Sequence, residues 1–475
     1  MSYEVVIGME VHAQLLTKTK LFCSCSTSYG ASPNTQVCPV CISLPGVLPV
    51  LNKKAVEFVV RTGLALNCEI ARMSLFSRKN YFYPDLPKNY QISQYDLPLC
   101  FNGYLDLSLN SKTERVKIRR VHLEEDAGKL LHSGSSFSEV DLNRTGVPLM
   151  EVVTEPCITS PQLAHLYLTK LRNILLYLGV CNGNMEEGSL RCEPNISLRP
   201  KGEVELGVKT ELKNLNSFKA VYKGLEYEIK RQREILESGG KVTQDTRRWD
   251  EKSSSTISMR SKEEAHDYRY FPEPDLLPLV IPESWEKEIK ESLPELPEDR
   301  KRRFMEEFSL PEYDAGVITD SKSLADYYEE CLKYYKNPKI VSNWVMGEFL
   351  RLLKLNEKEV EEAKISSQNL GEMLKMIEKG IISGKIAKTI FEEMFNTGKS
   401  PQIIVEERGL TQISDEEEIG KVVDKIIKEN PEVVESFKGG KEKSIGFLVG
   451  QVMKETQGRA NPKLVNKLLR ERLIK

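Results

Sequence analysis

The sequence predicts an α+β fold over residues 1–292 and an all-α arrangement after them. Three observations carry this. Apolar residues alternate with polar ones, the period of a half-buried strand, at the start of the chain and again between residues 185 and 213. Between those stretches, capped segments carry apolar residues at helical spacing. Six prolines between Pro272 and Pro297 then mark an exit, after which the pattern is helical.

A chain of 475 residues is long enough for about three domains and ample core. An apolar content of 40% and a charged content of 29% are ordinary for a globular protein, and no uncharged apolar run approaches the roughly 20 residues that span a bilayer. The start, MSYEVVIGMEVH, lacks a basic leader and carries Glu4 and Glu10 inside its apolar part, so it reads as a first strand and a cytoplasmic protein is expected. A net charge of -2 argues against wholesale coating of nucleic acid, so any RNA contact must come from a local patch. Nine of the ten cysteines and all five histidines precede residue 267, which puts any chemistry in the first part.

Val5 to Val11 form a strand whose period of two sets Glu10 and His12 on one face. That pair suits a metal, or a surface strand end. Cys23-Ser-Cys25 and, twelve residues on, Cys38-Pro-Val-Cys41 match tetrahedral zinc ligation, with the metal stapling a loop that has little core of its own. Cys68, Cys100, Cys157, Cys181, Cys192 and Cys331 are scattered and belong in the core. Asn52 caps a helix that buries Ala55, Val56, Val59 and Leu66. The loop from Ser77 to Pro98 mixes five Tyr/Phe with Arg78, Lys79 and Lys88, and either stacks a base beside phosphate or packs its rings inward.

The central stretch is RRVHLEEDAGK followed by VDLNRTGVPLMEVVTEP, Arg119 to Lys129 and Val140 to Pro156. Glu124, Glu125, Asp126 and Glu151 stand there beside apolar runs, where a carboxylate is costly unless a cation or several donors hold it. A hard-metal site is one outcome; a solvated turn and a surface salt bridge is the other. Ser160-Pro161 opens a helix that Gly179 closes. MEEGSLRCEPNISLRP, Met185 to Pro200, turns Leu190, Cys192, Ile196 and Leu198 one way and Arg191, Glu193, Asn195 and Ser197 the other. ELGVKTELK repeats this, with Leu206, Val208 and Leu212 inward and Lys209 and Glu211 outward. Such a face is either the wet side of an antiparallel sheet or the lining of a nucleotide and metal cleft.

Ser217 starts an amphipathic helix ending near Gly239-Gly240, followed by a mobile loop at Ser253 to Ser255 and by Asp267, Arg269, Glu273 and Asp275 around two prolines. In the helical remainder, residues 401–440 hold 5 Lys/Arg against 10 Asp/Glu, and residues 441–475 hold 9 against 3. That basic end rests on RNA or is a solvated helical face. Gly398-Lys399-Ser400 imitates the end of a P-loop, but Glu393 stands where the first glycine is required.

VIGMEVHAQL, RKNYFYPDLPKNYQISQ, HLEEDAGK, DLNRTGVPLMEVVTEP, MEEGSLRCEPNISLR, ELKNLNSF, DYRYFPEPDL and GFLVGQVMKETQGRANPKLVNKLL occur in that order. Taken together they resemble the B-subunit family of the aspartyl/glutamyl-tRNA amidotransferases, often called GatB. The resemblance spans the chain. It implies a cradle-shaped catalytic, zinc-bearing domain with an antiparallel sheet and flanking helices over 1–292, a helical domain over 293–400 and a small YqeY-like, tRNA-binding tail over 401–475. It further implies repair of misacylated tRNA. ATP phosphorylates the side-chain carboxyl of Glu on tRNA(Gln) or Asp on tRNA(Asn), and ammonia then displaces phosphate.

Carried over by motif, Glu10, His12, Glu125 and Glu151 are implied as the catalytic Mg²⁺ site, with Glu124 a possible substitute for its neighbour. Arg191, Glu193, Lys209 and Glu211 are implied contacts for nucleotide or substrate, and Cys23, Cys25, Cys38 and Cys41 match the zinc-bearing members. No Ser-Lys amidase signature is present, so ammonia from glutamine is expected through a tunnel from an amidase A subunit, with a small C subunit completing a heterotrimer. Two other readings compete. A zinc-containing tRNA-binding scaffold predicts ATP turnover indifferent to these acids, and an aminoacyl-adenylate enzyme predicts AMP and pyrophosphate as products.

Overall fold

The structure, a computed structural model, describes residues 2–474 apart from 111, 132–136, 262–267, 411–414, 439–443 and 457–458. Asp267 and part of the basic tail, including Lys441 and Lys443, lie outside the described residues. The chain divides into two compact units, Met1–Leu296 and Pro297–Lys475.

In chain order the strands of the first unit are β1 (Tyr3–Gln14), β2 (Glu69–Ile70), β3 (Met73–Ser74), β4 (Ser77–Asn80), β5 (Tyr90–Ser93), β6 (Cys100–Leu109), β7 (Lys112–Glu125), β8 (Lys129–Leu131), β9 (Glu139–Asp141), β10 (Pro148–Thr154), β11 (Leu190–Pro200), β12 (Thr210–Lys213), β13 (Asp245–Asp250), β14 (Ser255–Ser261), β15 (Phe271–Pro272) and β16 (Leu279–Val280). Among the described residues four helices accompany them: α1 (Lys53–Ala65), α2 (Pro161–Leu178), α3 (Phe218–Glu237) and α4 (Glu283–Glu291). Nine strands form one sheet in the order β14-β13-β12-β11-β1-β10-β7-β6-β2, antiparallel except for β12 and β13. That parallel pair is joined through α3, because parallel neighbours cannot be closed by a tight turn.

The sheet has one dry face and one wet face. Along β1 the buried residues are Met9, Val11 and Ala13, while Glu10, His12 and Gln14 alternate with them. Helices α1, α2 and α3 cover the dry face, joining Val59, Tyr167, Leu171, Val221 and Leu225 to Ile7, Val11, Val121, Val152 and Ile196 in one core. Their caps are those the sequence predicts. Asn52 accepts the Lys54 and Ala55 N–H groups, Ser160 that of Leu163 and Ser217 that of Ala220, while Gly179 closes α2 at φ 64°.

Three expectations are corrected. The segment from Ser77 to Pro98 is not all loop, since β4 and β5 pair within it. The strand expected from Met185 begins only at Leu190. The strand expected over ELGVKTELK begins at Thr210, so Leu206 and Val208 are exposed. Pro200, which has no N–H, and Gly202, at φ 89°, lead the chain off the sheet, and it returns with Gly207 against the Leu198 carbonyl, where a Cβ would collide.

The second unit is helical, from Pro297–Glu307 to Pro462–Ile474, around two separate clusters. The first contains Phe304, Tyr328, Phe349, Phe391 and Phe395 and extends to Ile404 and Val405. The helix Pro401–Arg408, grouped with the tail by its charge, therefore packs with the helices before it. The second joins Ile419, Val423, Leu448, Val452, Val465 and Leu469. The imitation P-loop is a junction between helices: Gly398 is a left-handed C-cap and Ser400 caps the next helix. Among the described residues no helix is long and apolar enough to cross a membrane.

Candidate functional site on the wet face of the sheet

Directly opposed residues on antiparallel strands share a face, so the register assembles the site. His122 on β7 faces Glu151 on β10, Glu151 faces His12 on β1, and His12 faces Arg191 on β11. Four polar side chains thus form a row across four strands. One step along, Glu10 faces Glu193, and Asn195 faces Glu211 on β12.

His12 and Glu151 of this row, with Glu124 two residues beyond His122 on the same face of β7, bring ligand atoms to within 4.8 Å of one another. His12 Nε2 lies 3.8 Å from Glu124 Oε1 and 3.8 Å from Glu151 Oε1. On the far side, His122 Nε2 approaches Glu151 Oε2 at 2.8 Å and Glu124 Oε2 at 3.6 Å, and Ser93 Oγ donates to Glu124 Oε2 at 2.9 Å. Burial pulls His122 towards its neutral form, but the charges of Glu151 and Glu124 win and raise it to about 9. Both carboxylates are correspondingly held below the usual range: desolvation opposes this, His122 outweighs it, and for Glu124 Lys79 adds to it. Two ionised carboxylates and an imidazole aimed at one point are a donor set that fits a divalent cation.

Glu125 and Glu10 stand outside this set. Glu125 follows Glu124 on β7, and alternation sends it the other way, where its Oε1 accepts from Lys88 and from the Ile92 N–H at 2.9 Å. Glu10 shares the face with His12 but lies further along β1, accepting from Asn195 Nδ2 at 3.1 Å. Burial and the nearby charge of Glu151 raise its pKa. It lines a cavity of about 250 Å³ with Arg119, Asn195 and Lys209. Lys209 precedes β12 and so reaches this cavity from a loop. Arg191 pairs with buried Asp126 at 3.1 Å, which also accepts from Gln14 Nε2 at 2.8 Å. Glu193 and Glu211 share Lys213, at 2.9 and 3.4 Å.

The four cysteine sulfurs also lie within 4.8 Å of one another. Their loop is tied down by Asn34, whose N–H reaches Asp141 at 3.1 Å, and by Asn143, which donates to the Ser32 carbonyl at 2.7 Å. Cys41 Sγ accepts from the Cys38 N–H at 3.2 Å, and its pKa is lowered to about 4, chiefly by a hydrogen bond from Cys23 and less by Cys38 and Lys20. Four soft donors at tetrahedral reach fit zinc and leave no open position.

Sequence reasoning passed over His122, Arg144, Lys213, Tyr268 and Tyr270, and it named Lys79, Asp126, Tyr81 and Tyr95 without the partners they meet here. His122 had a signal, since it stands two residues before Glu124 on one strand. Lys79 had none, because its place comes from β4 crossing towards Glu124. The charge of Glu124 offsets burial and keeps that ammonium above its usual pKa, with the Tyr268 ring 5.0 Å from Nζ. Around it Tyr95 stacks on Tyr270 at 4.2 Å, and Tyr268 meets Tyr270 and Tyr81 edge-on at 6.1 Å. Arg78 holds this segment through Glu273, Nε to Oε2 at 2.7 Å. The inward packing of Tyr90 and the exposure of Phe82 and Tyr83 show that the loop's rings do not act as one group.

Residues 5–287 match the family model of the GatB/GatE catalytic domain, and residues 326–473 match that of the GatB domain. The chain is 62% identical over 475 residues to the B subunit of the aspartyl/glutamyl-tRNA(Asn/Gln) amidotransferase of Caldanaerobacter subterraneus subsp. tengcongensis, covering 100% of both chains. It is 60% identical over 477 residues to the protein of the same name from Carboxydothermus hydrogenoformans, covering 100% of this chain and 99% of that one. The corresponding protein of Moorella thermoacetica is 57% identical over 476 residues, with both chains covered at 100%.

Proposed function

Because the chain belongs to the GatB family, the B subunits of aspartyl/glutamyl-tRNA(Asn/Gln) amidotransferases, we propose that the wet face of its sheet is where a tRNA-linked Glu or Asp is activated and amidated. A carboxylate resists attack by ammonia. Transfer of the γ-phosphoryl group of ATP to one of its oxygens gives an acyl phosphate and ADP. Ammonia then attacks the carbonyl carbon, phosphate leaves with the C–O bonding pair, and the amide loses a proton.

The observation that carries this reading is the convergence of His12, Glu124 and Glu151 on one point of a polar sheet face. Those three residues would hold Mg²⁺. When bound, the ion neutralises charge on the moving phosphoryl group. His122 keeps Glu124 and Glu151 ionised and oriented from behind. Lys79 and Arg191 supply positive charge on either side, and Lys209, which lines the neighbouring cavity with Glu10, would meet a phosphate. Glu193 and Glu211 orient Lys213 and set the outer edge of the cleft. Structural zinc on the four cysteines steadies the loop beside Glu125.

The chain works as one part of a complex in the cytoplasm. An amidase component, the A subunit, hydrolyses glutamine and delivers ammonia, and a small C subunit holds the pair together. The helical parts of this chain over 293–400 and 401–475 hold the tRNA. Product analysis on the assembled complex tests the proposal. Glu151→Ala should lower ATP turnover by about two orders of magnitude or more, with ADP and phosphate as the products of the intact enzyme. Normal turnover in that variant would favour the scaffold reading, and AMP with pyrophosphate would favour an adenylating enzyme.

A further inference from the structure

Lys20 is among the most completely buried side chains of the molecule, at 1% exposed. Its Nζ lies 3.5 Å from Cys41 Sγ and 3.4 Å from the Leu142 carbonyl, and no ion pair to it is found among the described residues. A buried amino group that keeps its charge needs a compensating anion. Four thiolates around Zn²⁺ carry a net charge of about -2, which is itself costly in a poorly solvated loop. Each group supplies what the other lacks.

We propose that Lys20 is the counter-cation of the zinc site. Its ammonium offsets part of the tetrathiolate charge through Cys41 Sγ and ties the metal loop to the Leu142–Gly146 segment. The backbone fixes the lysine from both sides, since Lys20 N donates to the Cys25 carbonyl at 3.0 Å and Leu21 N donates to that of Gly146 at 2.8 Å. A Cβ added at Gly146 would stand in ordinary van der Waals contact, 3.7 Å from both Cys41 Cβ and Lys20 Cδ, so the three residues meet at one place. Lys20 and Cys41 also line a cavity of about 230 Å³ together with Lys88 and Glu125. The counter-cation therefore sits where the metal loop meets the wall behind the candidate site. The inference rests on the reading of the four cysteines as a zinc site, and it assigns a positioning residue to that site.

The test is made on the full-length chain in its complex. Metal content of the unaltered protein comes first: less than one zinc per chain overturns the zinc reading itself, and the proposal with it. Release of zinc to a chromogenic chelator is then timed for Lys20→Met, Lys20→Gln and Lys20→Arg. Loss of a group that orients metal ligands costs on the order of 10–100-fold in metal affinity. The Met and Gln variants should release zinc faster by that order, and their cysteines should be alkylated faster, while Lys20→Arg stays near the unaltered protein. Equal release from Gln, Arg and unaltered proteins would overturn the proposal, because charge would then be irrelevant to the metal. So would failure of both neutral variants to fold in excess zinc while Lys20→Arg folds without any, since the lysine would then serve the fold alone.

Discussion

Replacing the adjacent acids Glu124 and Glu125 one at a time separates chemistry from scaffolding. Glu124→Gln keeps the shape of the side chain and an oxygen for Ser93, but removes one of the two negative charges that meet His12. Loss of one group that meets developing charge costs about 3–4 kcal/mol at the transition state, or a ~10²–10³-fold fall in ATP cleavage. Glu125→Gln leaves that triad untouched and keeps an acceptor for the Ile92 N–H. It strips the counter-charge from Lys88, whose side chain is only 8% exposed. Breaking a buried pair costs roughly 3–5 kcal/mol of stability, and the lower end applies because Lys88 keeps the Tyr90 and Phe22 rings and borders a cavity that admits water. ADP release by the complex across a Mg²⁺ titration, with denaturant unfolding of each variant, reads both effects. Glu124→Gln should raise the Mg²⁺ requirement with the smaller loss of stability, and Glu125→Gln should do the reverse. If Glu125→Gln raises the Mg²⁺ requirement and Glu124→Gln does not, the assignment of the triad is wrong.

Three further outcomes are expected. Glu273→Ala should destabilise the chain by about 3 kcal/mol in denaturant unfolding, the lower end for a broken buried pair, since the Arg78 guanidinium is partly exposed and keeps Asp275 at 3.2 Å. Chelation of zinc should speed amide hydrogen exchange in residues 20–50 while leaving the helices of the second unit protected, as a loop with little core depends on its metal. Buried Asp314 is held below the ordinary value of 3.8, where desolvation is outweighed by Lys339 and Ser342 at 2.6 and 2.8 Å. Its depressed pKa contributes stability that is full above the unfolded value and is lost as pH falls through the folded one. Asp314→Asn should therefore be less stable at neutral pH, with the gap to the unaltered protein closing below about pH 4.

Local order was legible because it is set by neighbours in sequence. Asn52, Ser160, Ser217 and Gly179 end helices through bonds no more than four residues long, and each stands where the pattern predicts. The two-residue period likewise gave which side chains of β1 and β11 share a face, although Ser197 on the polar side is buried. What escaped depends on partners far away in the chain. Lys79, Lys88 and Asp126 owe their positions to β4, β5 and β11 approaching the end of β7, and nothing within a few residues of them records that approach. The departure of residues 201–209 from the sheet was missed for a different reason, since their alternation is genuine but Pro200 and Gly202 override it.

The choice between Glu124 and Glu125 shows how little of such a site is local. A residue's face on a strand depends on the parity of its register, and a slip of one position between β7 and β10 would exchange the two acids. The exchange would carry Glu125 towards His12 and Glu151 and bury Glu124 against Lys88. The pairings that prevent it are dry-side ones: Val121 opposite Val152 and Leu123 opposite Met150, locked against the helices on the far face. The hydrophobic core thus sets the geometry of the wet side, and it does so for all four strands of the row at once. Polar substitutions at Val152 or Met150, which touch none of the candidate ligands, should disturb the Mg²⁺ requirement as well as the fold, whereas changes of equal size at the exposed positions Val204 or Leu277 should alter neither.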